Sequence, residues 1–172
     1  MKLKEVMRHY HNVTSGIDKT ANRHMDKFDD LFKSLLKNSN LTLKKDFVIR
    51  ETTYRTKKWD FSIWDGEELK VAIELKSIKG TGNFNNRIEE AVGSSRFIKR
   101  RYPSVKCGYL LVLEEAIPDR YVVRFQDFFN DCEEVKSYDA TCLVRIVDNK
   151  GNFVERNGKT AERMMKILQK EL

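Results

Sequence analysis

The chain has 172 residues, enough for one domain with a buried core, and no Pro-, Gly- or Ser-rich linker divides it. Hydrophobic residues make up 40% and charged residues 34% of it, and no apolar run approaches the roughly 20 residues of a membrane-spanning helix. The formal net charge of +7 favours a polyanionic partner. We therefore expect a single cytoplasmic domain, residues 1–172, with no secretory signal and no membrane association.

The cysteine content excludes two further classes of protein. Cys107, Cys132 and Cys142 form an odd set with no C-x-x-C spacing. Such a set argues against a disulfide framework and against a structural zinc site. We expect three reduced cysteines that serve in packing.

The first half of the chain is predicted to contain a helix followed by extended segments. Over 18–38 the apolar residues recur at three- and four-residue steps, which predicts an amphipathic helix with one buried stripe. The segment 41–55 is rich in β-branched and aromatic residues and is predicted to be extended. Segments 59–64 and 69–76 flank the turn sequence DGEE, so they are predicted to form a hairpin.

The second half alternates helices and strands. Residues 85–102 have the spacing of a helix with a narrow apolar seam, and 105–116 form a continuous apolar run typical of a strand covered on both faces. A helix is predicted over 122–135, and 138–147 fits a helix and a strand equally well. The last segment, 159–172, has the pattern of an amphipathic helix. This order fits a small α/β domain with a central mixed sheet.

The second arm of the hairpin carries charged residues in an otherwise apolar strand. Side-chain alternation places one apolar set on a single face: Leu69, Val71, Ile73 and Leu75. Glu74 and Lys76 share the opposite face, and a turn centred near residue 67 brings Asp60 opposite Glu74. Two carboxylates are hard oxygen donors suited to Mg²⁺. An ammonium group beside the ion could orient an attacking water or offset charge that develops on phosphorus.

Each of these residues also has a structural explanation. Asp60 could cap a turn, and Glu74 and Lys76 could be the solvated side of an edge strand. Three features favour a functional site: the strand is otherwise apolar, an acidic residue lies opposite in register, and the basic chain has a Gly/Asn loop directly after the motif.

Asp60 followed by Glu74-Leu75-Lys76 resembles the PD-(D/E)xK nuclease motif. The string KKWDFSIWDGEELKVAIELKS, followed by NFNNRIEEAVGS, is similar to the XhoI-type type II restriction endonucleases over about 57–94. Weaker similarity extends to HMDKF, GYLLVLEEA and SYDATC, although Trp59 occupies the motif's proline position and the chain is shorter than other members. The resemblance implies an α/β restriction-endonuclease-like core, with a central mixed β-sheet flanked by helices.

The resemblance implies that the chain is a Mg²⁺-dependent type II restriction endonuclease, which hydrolyses double-stranded DNA to leave 5′-phosphate and 3′-hydroxyl ends. Asp60, Glu74 and the main-chain carbonyl of Leu75 would ligate Mg²⁺, and Lys76 would position the attacking water. The family's hexanucleotide CTCGAG is a candidate site, and a palindromic site implies a homodimer. A companion DNA methyltransferase acting on the same site is a further partner that such a system admits.

The residues after the motif offer groups that could contact DNA. Amides and a guanidinium suited to bases or phosphates come from Asn83, Asn85, Asn86 and Arg87. The asparagines could equally satisfy turn and cap geometry. Glu89 and Glu90 are expected to begin a helix near the metal-binding face. Sequence-independent contacts to the DNA backbone are predicted for Lys99, Arg100 and Arg101.

Two other functions compete with restriction. The same nuclease chemistry could act on branched or damaged DNA in repair, which selective nicking of branched substrates would indicate. A non-catalytic DNA-binding module would instead bind DNA without Mg²⁺-dependent cleavage, and its acidic face would be structural.

Overall fold

The computed structural model of the protein describes residues 2–14, 24–50, 56–81, 84–154 and 161–170. Within these ranges, five strands form one sheet in the order β1-β2-β3-β4-β5. The strands are β1 Thr42–Arg50, β2 Thr56–Asp65, β3 Glu68–Ile78, β4 Lys106–Leu113 and β5 Ala140–Arg145. The helices are α1 Leu3–Thr14, α2 His24–Leu36, α3 Phe84–Arg101, α4 Asp119–Glu134 and α5 Ala161–Gln169. None of these helices is long and apolar enough to cross a membrane.

The sheet is mixed. β1 pairs with β2 and β2 with β3 in antiparallel fashion, whereas β3, β4 and β5 run parallel. A parallel pair needs a crossover connection, and α3 and α4 lie between the strands that require one. The predicted α/β class with a central mixed sheet flanked by helices is confirmed.

Two apolar clusters cover the two faces of the sheet. The first core joins the sheet to α1, α2 and α5 and includes Phe32, Ile73 and Met165. The second core joins it to α3 and α4 and includes Ala91 and Phe125. Because both faces are covered, every residue of β4 after Lys106 is buried, as the apolar run in its sequence predicts.

Most of the predicted elements are present. The helix predicted over 18–38 appears as α2 within the described residues, since 15–23 lie outside them. The ambiguous segment 138–147 contains β5. The last helix, α5, buries the stripe expected from its spacing: Ala161, Met164, Met165 and Leu168.

One helix and the direction of one side chain differ from the sequence-based expectations. No element was expected at the N-terminus, yet α1 buries Leu3, Val6 and Met7 at helical spacing. Leu69 was expected on the same face as Val71, but Leu69 lies in the second core. The cause is a register shift in the hairpin between Ile63 and Trp64 on the partner strand, which reverses the alternation near the turn.

The three cysteines are free and buried. Burial raises the pKa of the Cys107 thiol and that of the Cys142 thiol to about 12, and it also raises the pKa of Cys132. Buried thiols with raised pKa values are inert, so these residues serve in packing, as expected.

Candidate active site

The hairpin opens into a fork at Asp60 and Glu74. The β2–β3 ladder runs from the turn as far as the pair Phe61 and Ile73, which is the predicted register. Beyond that pair, β2 continues beside β1 to Thr56, while β3 continues beside β4 to Ile78. Asp60 and Glu74 are the first residues past the last pair, so their side chains meet where the two strands separate.

The Asp60 carboxylate accepts a backbone hydrogen bond that a paired strand would otherwise accept. Its Oδ2 accepts a hydrogen bond of 2.7 Å from the Leu75 backbone N–H, which belongs to the opposite arm of the fork. Burial, and after it the negative charge of Glu74, raises the pKa of Asp60 above its usual value. The fork therefore holds this carboxyl group in a fixed orientation and in an environment that resists a second negative charge.

Glu74 lies deeper in the fork, and its side chain is only 1% exposed. Its Oε1 accepts a hydrogen bond of 2.8 Å from Lys57 Nζ and also contacts Lys76 Nζ. Its Oε2 is buried and has no hydrogen-bond partner among the described residues. A buried carboxylate oxygen without a donor is costly, so this atom is available to a further cationic group.

Lys76 is an ammonium group between the carboxylates. Its Nζ lies 3.9 Å from Asp60 Oδ2 and 3.8 Å from Glu90 Oε1, in addition to its contact with Glu74. Burial lowers the pKa of Lys76, but the charge and hydrogen bond of Glu74, followed by the charges of Asp60 and Glu90, outweigh burial and raise it overall. In this state Lys76 is protonated at neutral pH and can orient an anion or a water, but it cannot accept a proton.

Two more residues belong to the same cluster. Lys57 Nζ lies 3.8 Å from Glu90 Oε1 as well as contacting Glu74, and Glu90 approaches the fork from α3. Glu90 was expected near this face from the sequence, whereas Lys57 was not. The two lysines before Asp60 were the sequence feature that could have indicated a cation here. Strict side-chain alternation, however, would place Lys58 and not Lys57 on the same face as Asp60.

The donor set fits a hard divalent cation. The described residues contain no group of three or more His, Cys, Asp or Glu side chains placed to hold a metal ion. The predicted ligands require only two such side chains, Asp60 and Glu74, with a main-chain carbonyl from Leu75. Mg²⁺ commonly binds through one or two carboxylates and keeps water and phosphate for its other positions, and Glu74 Oε2 supplies a buried oxygen that still needs a positive partner.

The predicted DNA contacts fall into two groups. Asn83 and the side chains of Asn85 and Arg87 lie outside the described residues. Asn86 is exposed and lies one helical turn before Glu90, so it faces the same side of α3 as the fork.

The second group consists of the basic residues in the last turn of α3, about 15 Å along the helix from Glu90: Lys99, Arg100 and Arg101. Lys99 Nζ donates to the Lys136 carbonyl at 2.7 Å and pairs with Asp139 at 2.9 Å, so it holds α3 to the loop before β5. Arg100 and Arg101 are exposed. Among the described residues, Lys99 thus has a structural contact for which Arg100 and Arg101 show no equivalent.

The mixed sheet and the forked hairpin define an α/β protein of the restriction-endonuclease-like class. The sequence profile of the family described as "Restriction endonuclease XhoI" matches residues 9–147, which include the whole fork. The chain therefore belongs to the XhoI family of restriction endonucleases, enzymes that cleave DNA at specific sequences.

Individual relatives agree with this assignment. The chain is 28% identical over 159 residues to the type II restriction enzyme BstVI of Geobacillus stearothermophilus, an alignment that covers 76% of this chain and 71% of BstVI. It is 51% identical over 43 residues to the type II restriction enzyme XhoI of Xanthomonas vasicola, covering 23% of this chain and 17% of XhoI. It is 35% identical over 72 residues to the type II restriction enzyme AbrI of Azospirillum brasilense, covering 36% and 32%.

Proposed function

We propose that residues 1–172 form one domain that hydrolyses double-stranded DNA at a specific sequence with Mg²⁺, and that Asp60, Glu74 and Lys76 are its catalytic residues. The observation that supports this most is the meeting of these three side chains at the fork, in a chain of a restriction endonuclease family. Lys76 contacts both carboxylates, and all three side chains are mostly buried, whereas the side chains of a solvated strand face would be exposed.

The roles follow from the geometry. Asp60 and Glu74, with the Leu75 carbonyl, would hold Mg²⁺, which when bound lowers the pKa of water and offsets charge on phosphorus. The Leu75 N–H keeps Asp60 oriented for this task. Lys76 is protonated in the fork, so we assign it the positioning of the attacking water and stabilisation of the phosphorane-like charge. In-line attack on phosphorus would leave a 5′-phosphate and a 3′-hydroxyl end.

The substrate and assembly complete the proposal. The candidate recognition sequence is CTCGAG, and a palindromic site is matched by a homodimer with two forks related by a two-fold axis. Asn83, Asn85, Asn86 and Arg87 are proposed to contact DNA close to the fork, and Arg100 and Arg101 to contact the backbone. Lys99 is a weaker candidate because it already pairs with Asp139. The enzyme would act in the cytoplasm beside a methyltransferase of the same specificity.

Cleavage of a sequenced plasmid tests this proposal. Wild type with Mg²⁺ should produce discrete fragments whose ends map to CTCGAG, and Asp60→Ala and Lys76→Ala should reduce cleavage at least about 100-fold. Lys70→Ala is the matched control, because Lys70 lies on the same strand but pairs with Glu68. An intact plasmid with both Mg²⁺ and Mn²⁺, or equal cleavage by the Asp60 and Lys76 variants, would refute the proposal.

A further inference from the structure

Glu74 Oε1 is shared by two ammonium groups, and only one of them belongs to the proposed catalytic set. Lys57 Nζ lies 2.8 Å from this oxygen, and the Lys57 side chain is 22% exposed while that of Glu74 is 1% exposed. A buried carboxylate is stable only when it is paired with positive charge. Lys57 and Lys76 together supply that charge in the metal-free protein.

A divalent cation on Glu74 would change this balance. It would bring two positive charges to a carboxylate that already contacts two ammonium groups, and like charges at such distances repel strongly in a poorly hydrated site. This repulsion favours a state in which one ammonium group gives up its contact. Both ammonium groups lie 3.8 Å from Glu90 Oε1, and the Glu90 side chain is 40% exposed. Lys76 Nζ also lies 3.9 Å from Asp60 Oδ2, so it stays between the two carboxylates, and Lys57 is the group that can move to Glu90.

We propose that Lys57 is a positioning residue that compensates the Glu74 carboxylate through Oε1 before a divalent metal ion binds, and that it moves to Glu90 when a metal ion on the same carboxylate supplies that positive charge. In this exchange, the negative charge of the buried Glu74 carboxylate is balanced by positive charge both without and with the metal ion. It also makes the metal ion compete with an internal cation. The inference rests on the proposed function, since it takes Glu74 as a metal ligand.

Removal of the competing cation should strengthen metal binding. Lys57→Met should bind Mn²⁺ about tenfold more tightly than wild type, because the metal ion no longer breaks a charged hydrogen bond. Lys57→Arg keeps the charge and should bind Mn²⁺ no more tightly than wild type. A residue with a purely structural role would weaken metal binding when removed, so the sign of the effect separates the two roles.

The metal-free stability should change in the opposite direction. Without Lys57, the buried Glu74 carboxylate keeps Lys76 as its one ammonium partner among the described residues, so the Tm of Lys57→Met should fall by roughly 4 °C. Saturating Mn²⁺ should then reduce the difference in Tm between Lys57→Met and wild type, because the metal ion replaces the lost charge.

Isothermal titration calorimetry with MnCl₂ on the full chain without DNA tests the exchange. Lys70→Met is the matched control, since it removes a lysine of the same hairpin that pairs with exposed Glu68 at 2.8 Å, and its affinity should equal that of wild type. Lys57→Gln serves as the second neutral variant, and circular dichroism verifies folding. Equal or weaker Mn²⁺ binding by the folded Lys57 variants would overturn the inference.

Glu74→Gln distinguishes this failure from that of the proposed function. If Mn²⁺ binding depends on Glu74 but is not strengthened by the neutral Lys57 variants, only the role of Lys57 is wrong. If Glu74→Gln binds Mn²⁺ as wild type does, or if wild type binds none, Glu74 is not a metal ligand and both proposals fail.

Discussion

The buried hydroxyl group of Tyr138 is predicted to hold α3, and therefore Glu90, against the sheet. Tyr138 is 1% exposed, and its hydroxyl donates a hydrogen bond of 2.6 Å to the carbonyl of Ala91, the neighbour of Glu90. Burial, and after it the charge of Glu74, raises the pKa of Tyr138 well above its usual value, so the hydroxyl remains a donor at neutral pH. Tyr138→Phe removes this bond and leaves the ring in place.

The expected cost is moderate because the acceptor keeps one partner. Ala91 lies inside α3, so its carbonyl still accepts the helical hydrogen bond when the hydroxyl is lost. We therefore expect the variant to lose about 1–1.5 kcal/mol of unfolding free energy. For a domain of this size the Tm should fall by about 2–6 °C.

Urea unfolding near neutral pH measures this difference. Tyr102→Phe is the control, because Tyr102 is half-buried and contacts Phe47 through its ring, and it should stay within about 0.5 kcal/mol of wild type. Tyr138→Phe should shift the midpoint with an unchanged slope. Equal losses in the two variants, or no loss in Tyr138→Phe, would refute the reasoning.

Three further predictions concern the fork, the core and the basic end of α3. Asp60→Asn should be more stable than the metal-free wild type at neutral pH. The pKa of Asp60 is raised in the folded protein, so the stability that Asp60 contributes is present below its usual pKa of 3.8 and is lost as pH rises through its folded-state pKa. Urea unfolding across acidic pH should show the difference growing over that window, and a constant difference would contradict it. Gly108→Ala should lose about 1 kcal/mol of unfolding free energy, since its Cβ would lie 3.1 Å from a side-chain carbon of Leu168 in α5. Gly93→Ala is the control, because a Cβ there meets nothing within 4 Å, and thermal melts showing equal stability for both alanine variants would contradict the prediction. Lys99→Met should lose about 1 kcal/mol of stability without changing the salt dependence of DNA binding, whereas Arg101→Met should reduce the salt slope by about 1. Fluorescence anisotropy at several salt concentrations measures that slope, and equal slopes for the two variants would count against the assignment.

Much of the site could be predicted from the sequence because it depends on one short hairpin. A turn centred near residue 67 predicts the register, and the structure has the corresponding pairing of Phe61 with Ile73 just before the fork. The pairs beside the turn are one residue out of that register, and the shift between Ile63 and Trp64 makes up the difference. Once that register holds, Asp60 and Glu74 must be neighbours, and Lys76 follows on the same face as Glu74. The carboxylates and the ammonium group were therefore identified without knowledge of the rest of the chain.

Long-range contacts decided the other residues of the site. Tyr138 is 47 residues from Ala91, and no local periodicity relates the two. Glu90 reaches the fork only because the crossover of α3 returns the chain to the sheet beside β3. The buried face of α1 packs in the first core together with α2 and α5, and α5 lies at the other end of the chain.

The position of Lys57 has a similar origin in the pairing of β1 with β2. Trp59 lies in the second core and Phe61 in the first, although strict alternation would place them on one face. The β1–β2 ladder skips Asp60 at this point, where the opposite residue Asp46 has a φ of 57°. The sequence by itself determined which three side chains meet, Asp60, Glu74 and Lys76, since they belong to one short hairpin whose register changes by only one residue beside the turn. Only the tertiary structure selected Lys57 over Lys58, because the backbone of β2 changes phase at Asp60 where its neighbouring strand is irregular.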